Sequence, residues 1–333
     1  MISKSSSGIE IDRDLTERST RTSAGRDRSE SIHNSHSDDL TYAISEEGDM
    51  ARFNGMEIHT DSIKNKSIDR VLPILEEEQI FMCRQMLPRL KPGHLVLDVG
   101  TGSGVFAIWA AKQNCMVIAI DINDRALEMA KSNASRNDIK ICDRMEDLTA
   151  GSICFLLKRF DRDFDLGLFD TIILAPPYNP TYPGITTATH AQAGEDGQEC
   201  FNNQIALVPK MLKEGGVCIG NQMTTVKDSK LTFLSTISTS FENHCSLYFT
   251  RILPSDINSN TFLEQQYQNH LQSTKVKEYI NRSTNSYDQL SLVYYEITKV
   301  RNDFNFIEFE HTQKLQASWA DRISLHCEIV NNI

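Results

Sequence analysis

The sequence predicts an α/β fold, in which a mostly parallel β-sheet carries helices on both faces. Two observations predict this fold. From residue 94 to about residue 300, short apolar runs alternate with amphipathic stretches, as they do in sheets covered on both sides. A glycine-rich stretch, residues 98–104, follows the first apolar run and precedes the first helical stretch, so the chain there indicates strand, tight turn and helix in that order.

Composition narrows the class of protein. The chain has 333 residues, 40% of them hydrophobic, and a net charge of −11, which disfavours a nucleic acid as the main partner. No apolar run approaches the roughly 18 residues that a membrane span needs. The eight cysteines are scattered without a C-x-x-C pair. We therefore expect reduced core cysteines in a cytoplasmic protein, and no metal site.

Three regions follow from the changes in composition. Residues 1–48 are polar and predict a disordered tail. Residues 49–92 predict a small module, in which an Asn-Gly turn at 54–55 forms a hairpin and a helix covers 78–90. Residues 93–333 predict the main domain, with an insertion near 255–285.

The main domain resolves into successive elements. Strands are expected at 94–99, 115–120, 169–174, 217–220, 246–253 and 290–297, with an extra strand at 304–310. The third strand is either 139–142 or 153–157, and we prefer the second because Asp161 then marks its acidic end. Helices are expected at 105–113, 124–136, 201–212, 231–241 and 318–329.

The glycine loop is the first candidate binding element. It contains Asp98, Gly100, Thr101, Gly102 and Gly104, in the spacing acidic-x-Gly-x-Gly-x-Gly. Glycines let the backbone approach a ligand closely, and the helix that follows offers free N–H groups at its start. This spacing differs from the Gly-x-Gly-x-x-Gly of dinucleotide-binding folds.

An acidic residue at the end of the second strand completes the predicted cofactor site. Asp121 lies about 20 residues beyond the glycine loop, where a carboxylate accepts hydrogen bonds from both hydroxyls of a ribose. A nucleoside cofactor with an unmodified ribose, S-adenosylmethionine (SAM) or NAD rather than NADP, fits this position. Ile122 and Asp161 belong to the same predicted site.

A proline-rich turn follows the fourth strand and predicts the acceptor site. Pro176 and Pro177 fix the backbone and remove two N–H donors, so that rigid carbonyls point out at the carboxyl edge of the sheet. Ala175 precedes them, and Tyr178 follows with a flat ring. Rigid carbonyls beside a flat ring suit a planar or amine-bearing acceptor.

These motifs resemble those of a known family. Residues 98–104 resemble motif I of the class I SAM-dependent methyltransferases, and residues 169–178 resemble the FD-x-I-x-x-NPPY signature of amino methyltransferases. Residues 53–55, 71–78, 194–198 and 212–216 resemble further elements of the release-factor glutamine methyltransferases. The resemblance implies a Rossmann-like seven-stranded sheet and SAM as cofactor. It also implies that the glycine loop holds the methionine end of SAM, that Asp121 holds the ribose, and that residues 175–178 form the acceptor site.

Two departures from that family affect the predicted substrate. Ala175 replaces the asparagine of NPPY, which in the family helps to hold both hydrogens of the acceptor NH₂, and Asn179 compensates only if the loop bends back. A polar tail stands in place of the helical domain that grips the release factor. We therefore predict methylation of a nitrogen, less readily an oxygen, on a small molecule or peptide, with glutamine methylation as an alternative.

The remaining predictions concern the loop after the proline turn. His190 is the candidate general base, and Glu195 with Asp196 is expected to order the loop as a lid. Residues 221–333 are expected to shape the acceptor pocket. A nicotinamide oxidoreductase and a non-catalytic binding protein with this fold are the competing hypotheses.

Overall fold

The computed structural model describes residues 42–45, 49–62, 64–72, 78–185, 187–301 and 305–309. The helix predicted at 318–329, and the tail up to residue 41, lie outside these residues. Tyr42–Ile44 forms strand β1 inside the stretch that we predicted to be disordered. Regular structure therefore begins before the predicted boundary at residue 49.

The predicted hairpin is present as strands β2 (Met50–Phe53) and β3 (Met56–His59). Asn54 and Gly55 form its turn with φ angles of 46° and 71°, as an Asn-Gly turn requires. Strand β1 adds to β2 in the antiparallel sense and makes a three-stranded sheet.

Two asparagines, one in the helix Asp124–Arg136 and one directly after it, attach this small sheet to the main domain. Asn137 donates from Nδ2 to the carbonyl oxygen of Glu57 at 2.7 Å and accepts from its N–H at 3.1 Å. Asn133 makes the same pair of bonds with His59, at 2.8 and 2.9 Å. The two side-chain amides thus satisfy the outer edge of β3, as a further strand would.

The central sheet contains the predicted strands in a single eleven-stranded layer. Its strands are β4 (Leu95–Val99), β5 (Met116–Asp121), β6 (Lys140–Cys142), β7 (Ser152–Leu157), β8 (Phe169–Leu174), β9 (Leu212–Lys227), β10 (Lys230–Leu231), β11 (Cys245–Arg251), β12 (Ile257–Asn258), β13 (Gln289–Lys299) and β14 (Asn305–Glu308). The order is β14-β11-β13-β9-β8-β4-β5-β7-β6, with β10 paired to β9 and β12 to β13. Strands β9 to β6 along this path are parallel, whereas β13 is antiparallel to both of its neighbours. The predicted Rossmann-like sheet is confirmed, and the short strands β6, β10, β12 and β14 extend it beyond seven.

Helices cover both faces of this sheet, as predicted. They are α1 (Glu78–Met86), α2 (Val105–Lys112), α3 (Asp124–Arg136), α4 (Glu199–Ile205), α5 (Val208–Met211), α6 (Phe233–Ser240), α7 (Ser259–Gln266) and α8 (Thr274–Ser286). One buried apolar cluster joins the sheet to α1, α2, α3, α7 and α8, and a second joins it to α4, α5 and α6. In the part of the chain that the structure describes, no helix combines the length and the apolar character needed to cross a membrane.

Two local expectations need correction. The single helix expected at 201–212 is two helices, because Pro209 cannot donate to the carbonyl of Ile205 and its ring would clash there. Both candidates for the third strand are strands: β7 pairs with β5 as preferred, and β6 lies outside it at the sheet edge.

Candidate active site

A cavity of about 690 Å³ opens at the carboxyl ends of β4, β5 and β8. It is of the size that small-molecule ligands occupy. All but two of the predicted site residues line it. These are Gly100, Thr101, Gly102, Asp121, Ile122, Asp161, Ala175, Pro176, Pro177, Tyr178 and His190. The predicted cofactor and acceptor sites are therefore two ends of one cavity.

The glycine loop presents bare backbone to this cavity. Gly100 and Gly102 have φ angles of 70° and 55°, in the region that favours glycine. A Cβ at Gly100 would have no heavy atom within 4 Å, and one at Gly102 would have only the carbonyl oxygen of Gly100, at 3.9 Å. A side chain at either position would project into space that a ligand could use.

The two predicted residues that do not line the cavity support the loop from behind. Asp98 is 1% exposed and accepts a hydrogen bond from Thr101 Oγ1 at 2.6 Å, and burial raises its pKa to about 7. Gly104 allows α2 to approach α3, since a Cβ there would lie 3.0 Å from Ala130 Cβ. We predicted Asp98 and Gly104 to bind the cofactor; neither lines the cavity, and these contacts lie within the protein.

Asp121 is held in a fixed orientation at the end of β5. Its Oδ2 accepts from the Gly102 N–H and its Oδ1 from the Asn123 N–H, both at 2.9 Å. A carboxylate has about four acceptor positions, so the two oxygens retain capacity for further donors such as ribose hydroxyls. Burial raises the pKa of Asp121, which remains anchored to the backbone of the glycine loop.

At the acceptor end, a buried glutamate connects two elements. Glu78, the first residue of α1, is 5% exposed and accepts from Tyr178 Oη at 3.0 and 3.1 Å. Asn221 of β9 donates to the same carboxylate from Nδ2. Asn221 is not among the predicted site residues. The signal for Asn221 was its place directly after the apolar run 217–220, at the carboxyl edge of the sheet.

His190 also lines the cavity, from the short 3-10 turn Thr189–Ala191. Its Nδ1 is 3.1 Å from the carbonyl oxygen of Arg70. Because a carbonyl only accepts, Nδ1 carries the proton of the neutral ring and the lone pair is on Nε2. Arg70 itself is buried and also lines the cavity.

The backbone of residues 68–70 ties the two ends of the cavity together. The Asp69 carbonyl accepts from Asn123 Nδ2 at 2.7 Å, beside the anchored Asp121. The Ile68 carbonyl accepts from the Thr189 N–H at 2.8 Å, next to His190. This short segment therefore holds the loop of His190 in register with the cofactor end.

The predicted insertion braces the acceptor loop from behind. The Pro180 carbonyl accepts from Gln266 Nε2 at 2.6 Å and from Tyr267 Oη at 3.1 Å. The Glu195 carbonyl accepts from Tyr279 Oη at 2.7 Å. We expected residues 221–333 to shape the pocket; within the described part of this stretch, Asn221 lines the cavity, and Gln266, Tyr267 and Tyr279 support the loop that follows Tyr178.

Comparison with known proteins agrees with this arrangement. Residues 90–284, more than half of the chain, match the protein family described as "Methyltransferase domain". "Putative protein N5-glutamine methyltransferase MJ0928" from Methanocaldococcus jannaschii is 31% identical over 131 residues, which are 37% of this chain and 58% of that protein. "Ribosomal protein L11 methyltransferase" from Dictyoglomus thermophilum is 40% identical over 94 residues, 25% of this chain and 31% of that protein.

A solved structure of ribosomal protein L11 methylase from Lactobacillus delbrueckii subsp. bulgaricus is a more distant match. It has 19% sequence identity and a TM-score of 0.37, and the match covers 67% of this chain and 76% of that one. The chain spans 58% and 31% of the lengths of the two curated relatives above.

The residues present fit the cofactor that the family implies. The glycine loop leaves room against its backbone, and the anchored carboxylate of Asp121 retains acceptor capacity. With the family match over residues 90–284, these features establish that the chain belongs to the methyltransferase-domain family, whose cofactor is S-adenosylmethionine.

Proposed function

We propose that this chain is an enzyme that transfers the methyl group of SAM to a nitrogen, rather than an oxygen, of a small-molecule or peptide acceptor. One observation carries the proposal: a single cavity is lined at one end by the glycine loop and Asp121, and at the other by residues 175–178. A methyl transfer needs donor and acceptor in line and in contact, which a shared cavity permits.

The chain's own residues divide the work of holding the cofactor. The backbone of Gly100 and Gly102 would take the methionine end, and Asp121 would accept from the ribose. Ile122, which is half exposed on the cavity wall, and Asp161 would flank the adenine ring of SAM. When bound, SAM supplies a methyl group already activated by a positively charged sulfur.

The acceptor end offers orientation and a place for a proton. Pro176 and Pro177 present rigid backbone carbonyls. The hydroxyl of Tyr178 is engaged by Glu78, so its ring is held in place to pack against the acceptor. A methylated nitrogen gains positive charge and loses a proton, and His190 is the base we assign to that proton because its neutral ring bears the lone pair on Nε2.

The names of the relatives favour a peptide or protein acceptor over a free small molecule. One is named for glutamine N5 of proteins and another for ribosomal protein L11. Glutamine methylation is the more specific form of the proposal, and the position of Asn221 described below supports it. A cytoplasmic location remains our prediction from the scattered cysteines.

The test combines binding with transfer. Isothermal titration with SAM and with NAD is expected to show binding of SAM alone. Methyl-tritiated SAM is then incubated with the protein and an extract of source cells from which its gene has been deleted. We expect label in acid-precipitable peptide material, released by exhaustive enzymatic proteolysis as an N-methylated amino acid and, where a side-chain amide is the acceptor, by acid hydrolysis as methylamine. A Gly102→Leu variant, in which the leucine side chain fills the space beside the glycine loop, is the matched negative control.

Other outcomes distinguish the alternatives. Tight SAM binding without any transfer would favour a non-catalytic binding protein. Binding of NAD in preference to SAM would support an oxidoreductase and contradict the proposal. Label recovered on an oxygen would contradict the assignment of nitrogen.

A further inference from the structure

Asn221 lies beside Ala175, the position at which this chain lacks the polar side chain of the NPPY motif. In the parallel register of β8 and β9, Leu174 pairs with Gly220. The next residues, Ala175 and Asn221, therefore follow side by side at the carboxyl edge of the sheet, and both line the cavity. Asn221 is 3% exposed, so its amide meets the cavity rather than bulk water.

Glu78 determines which end of the Asn221 amide faces the cavity. Asn221 Nδ2 donates to Glu78 Oε1, and the same carboxylate accepts from Tyr178 Oη. Because a carboxylate only accepts hydrogen bonds, the NH₂ end of the amide must face Glu78 and the carbonyl end must face away from it. The amide cannot turn over without breaking this bond.

The carbonyl end that results has an unused acceptor. Asn221 Oδ1 is buried and has no hydrogen-bond partner among the residues that the structure describes. Buried polar atoms without a partner are rare in folded proteins, because leaving them unpaired is costly. A buried, oriented and unused acceptor in a ligand cavity indicates that the ligand supplies the donor.

We propose that Asn221 Oδ1 accepts a hydrogen bond from an N–H group of the methyl acceptor, and so takes the place of a side-chain carbonyl at position 175. Asn221 is then a specificity-determining residue. It favours a neutral amide or amine nitrogen and disfavours a carboxylate, which has no hydrogen to donate. This inference rests on the proposed function in taking this end of the cavity as the acceptor site.

Asn179 is the competing candidate and provides the matched control. Its Oδ1 is also buried without a partner, and the residue lines the same cavity. However, within the described residues no hydrogen bond orients its amide. Asn179 also comes after both prolines, whereas Asn221 lies directly beside Ala175.

Binding of two small probes to the protein loaded with S-adenosylhomocysteine tests the proposal. Propionamide and propionate have nearly the same shape, but only the amide has N–H donors. Saturation-transfer NMR should show that the wild type binds propionamide more strongly than propionate. Asn221→Leu, which keeps the side-chain volume, should weaken propionamide binding about tenfold, the effect of one lost hydrogen bond. Asn179→Leu should change it less than about twofold.

The controls separate this inference from loss of the fold and from the proposed function. SAM affinity measured by titration should be retained in both variants, and Asn221→Ala replaces the leucine variant if that protein does not fold. A wild type without preference for the amide, an Asn221 variant with undiminished binding, or a loss confined to Asn179→Leu would each overturn the inference. Failure of the proposed function has a different signature: no methyl transfer, with propionamide binding and its dependence on Asn221 intact.

Discussion

Two glycines of the same loop should respond to the same substitution in opposite ways. Gly102 and Gly104 both have positive φ angles, of 55° and 82°. They differ in what a Cβ would meet. At Gly102 it would project into the open cavity, whereas at Gly104 it would press against Ala130 of α3. Replacing each by alanine therefore separates the loop's role in binding from its role in packing.

The expected changes in stability follow from these contacts. A left-handed backbone costs a residue with a side chain about 1–2 kcal/mol, and both variants pay this cost. Gly104→Ala also brings a methyl group to 3.0 Å from Ala130 Cβ and 3.2 Å from its Cα. Overpacking of this kind costs about 1–3 kcal/mol. The free energy of unfolding should thus fall by about 1–2 kcal/mol in Gly102→Ala and by about 2–5 kcal/mol in Gly104→Ala.

The affinity for SAM should respond in the opposite order, with the larger loss in Gly102→Ala and the smaller in Gly104→Ala. A methyl group at Gly102 occupies the space that the cofactor would fill, so the affinity for SAM should fall at least about tenfold, or 1.4 kcal/mol. Gly104→Ala should keep SAM affinity within about threefold at a temperature at which it is folded. Urea unfolding without ligand and isothermal titration with SAM measure the two quantities. Unchanged SAM affinity in Gly102→Ala, or equal stability of the two variants, would refute the reasoning.

Three further predictions concern single side chains. Burial raises the pKa of Asp98 from 3.8 to about 7, because the buried site favours the protonated carboxyl. Protonated Asp98 therefore contributes roughly 4 kcal/mol to the free energy of unfolding below about pH 4, and this contribution is lost as the pH rises to about 7. The unfolding free energy of Asp98→Asn minus that of the wild type should therefore grow across this range and then level off, and a pH-independent difference would be inconsistent with a buried Asp98. Asp121→Asn should lower SAM affinity about 10- to 100-fold in titration, since it weakens charge-assisted bonds to the ribose, and wild-type affinity would exclude that role. Tyr178→Ala should reduce methyl transfer while sparing SAM affinity, with Tyr178→Phe affected less because the ring remains; full activity of the alanine variant would remove Tyr178 from the acceptor site.

Those parts of the site that lie on contiguous motifs could be predicted from the sequence. The glycine loop and the proline turn each follow an apolar strand, and parallel strands bring their carboxyl ends to the same edge. Residues 100–102, Asp121 and residues 175–178 therefore reach one cavity, as expected. The seven central strands were predictable for the same reason, because apolar runs between helices have few other places in such a fold.

What could not be predicted depends on contacts between distant segments. The acidic and glycine spacing of motif I does not reveal that Asp98 and Gly104 lie outside the cavity lining, since Asp98 is buried against Thr101 and Gly104 packs against Ala130 of α3. Strand β9 begins at Leu212, which pairs with Phe169 of β8, and extends to Lys227, well beyond the predicted 217–220, because β13 pairs with residues 217–226. The link between Glu78 and Asn221 joins residues 143 positions apart, which no local pattern encodes.

The insertion near 255–285 supports the loop that follows Tyr178, and this support affects how readily the loop can hold an acceptor. The loop after Tyr178 has few regular elements of its own, and a flexible loop would have to lose conformational entropy each time an acceptor bound. Helices α7 and α8 remove much of that cost in advance, because Gln266, Tyr267 and Tyr279 hold two of its carbonyls. Arg282 adds an ion pair to the side chain of Glu195 at 2.9 Å. An insertion that does not line the cavity thus helps to fix the loop that contributes Tyr178 and His190 to it. Replacing the insertion should therefore shift residues 178–197, while Asp121 on β5 should keep its bonds to Gly102 and Asn123.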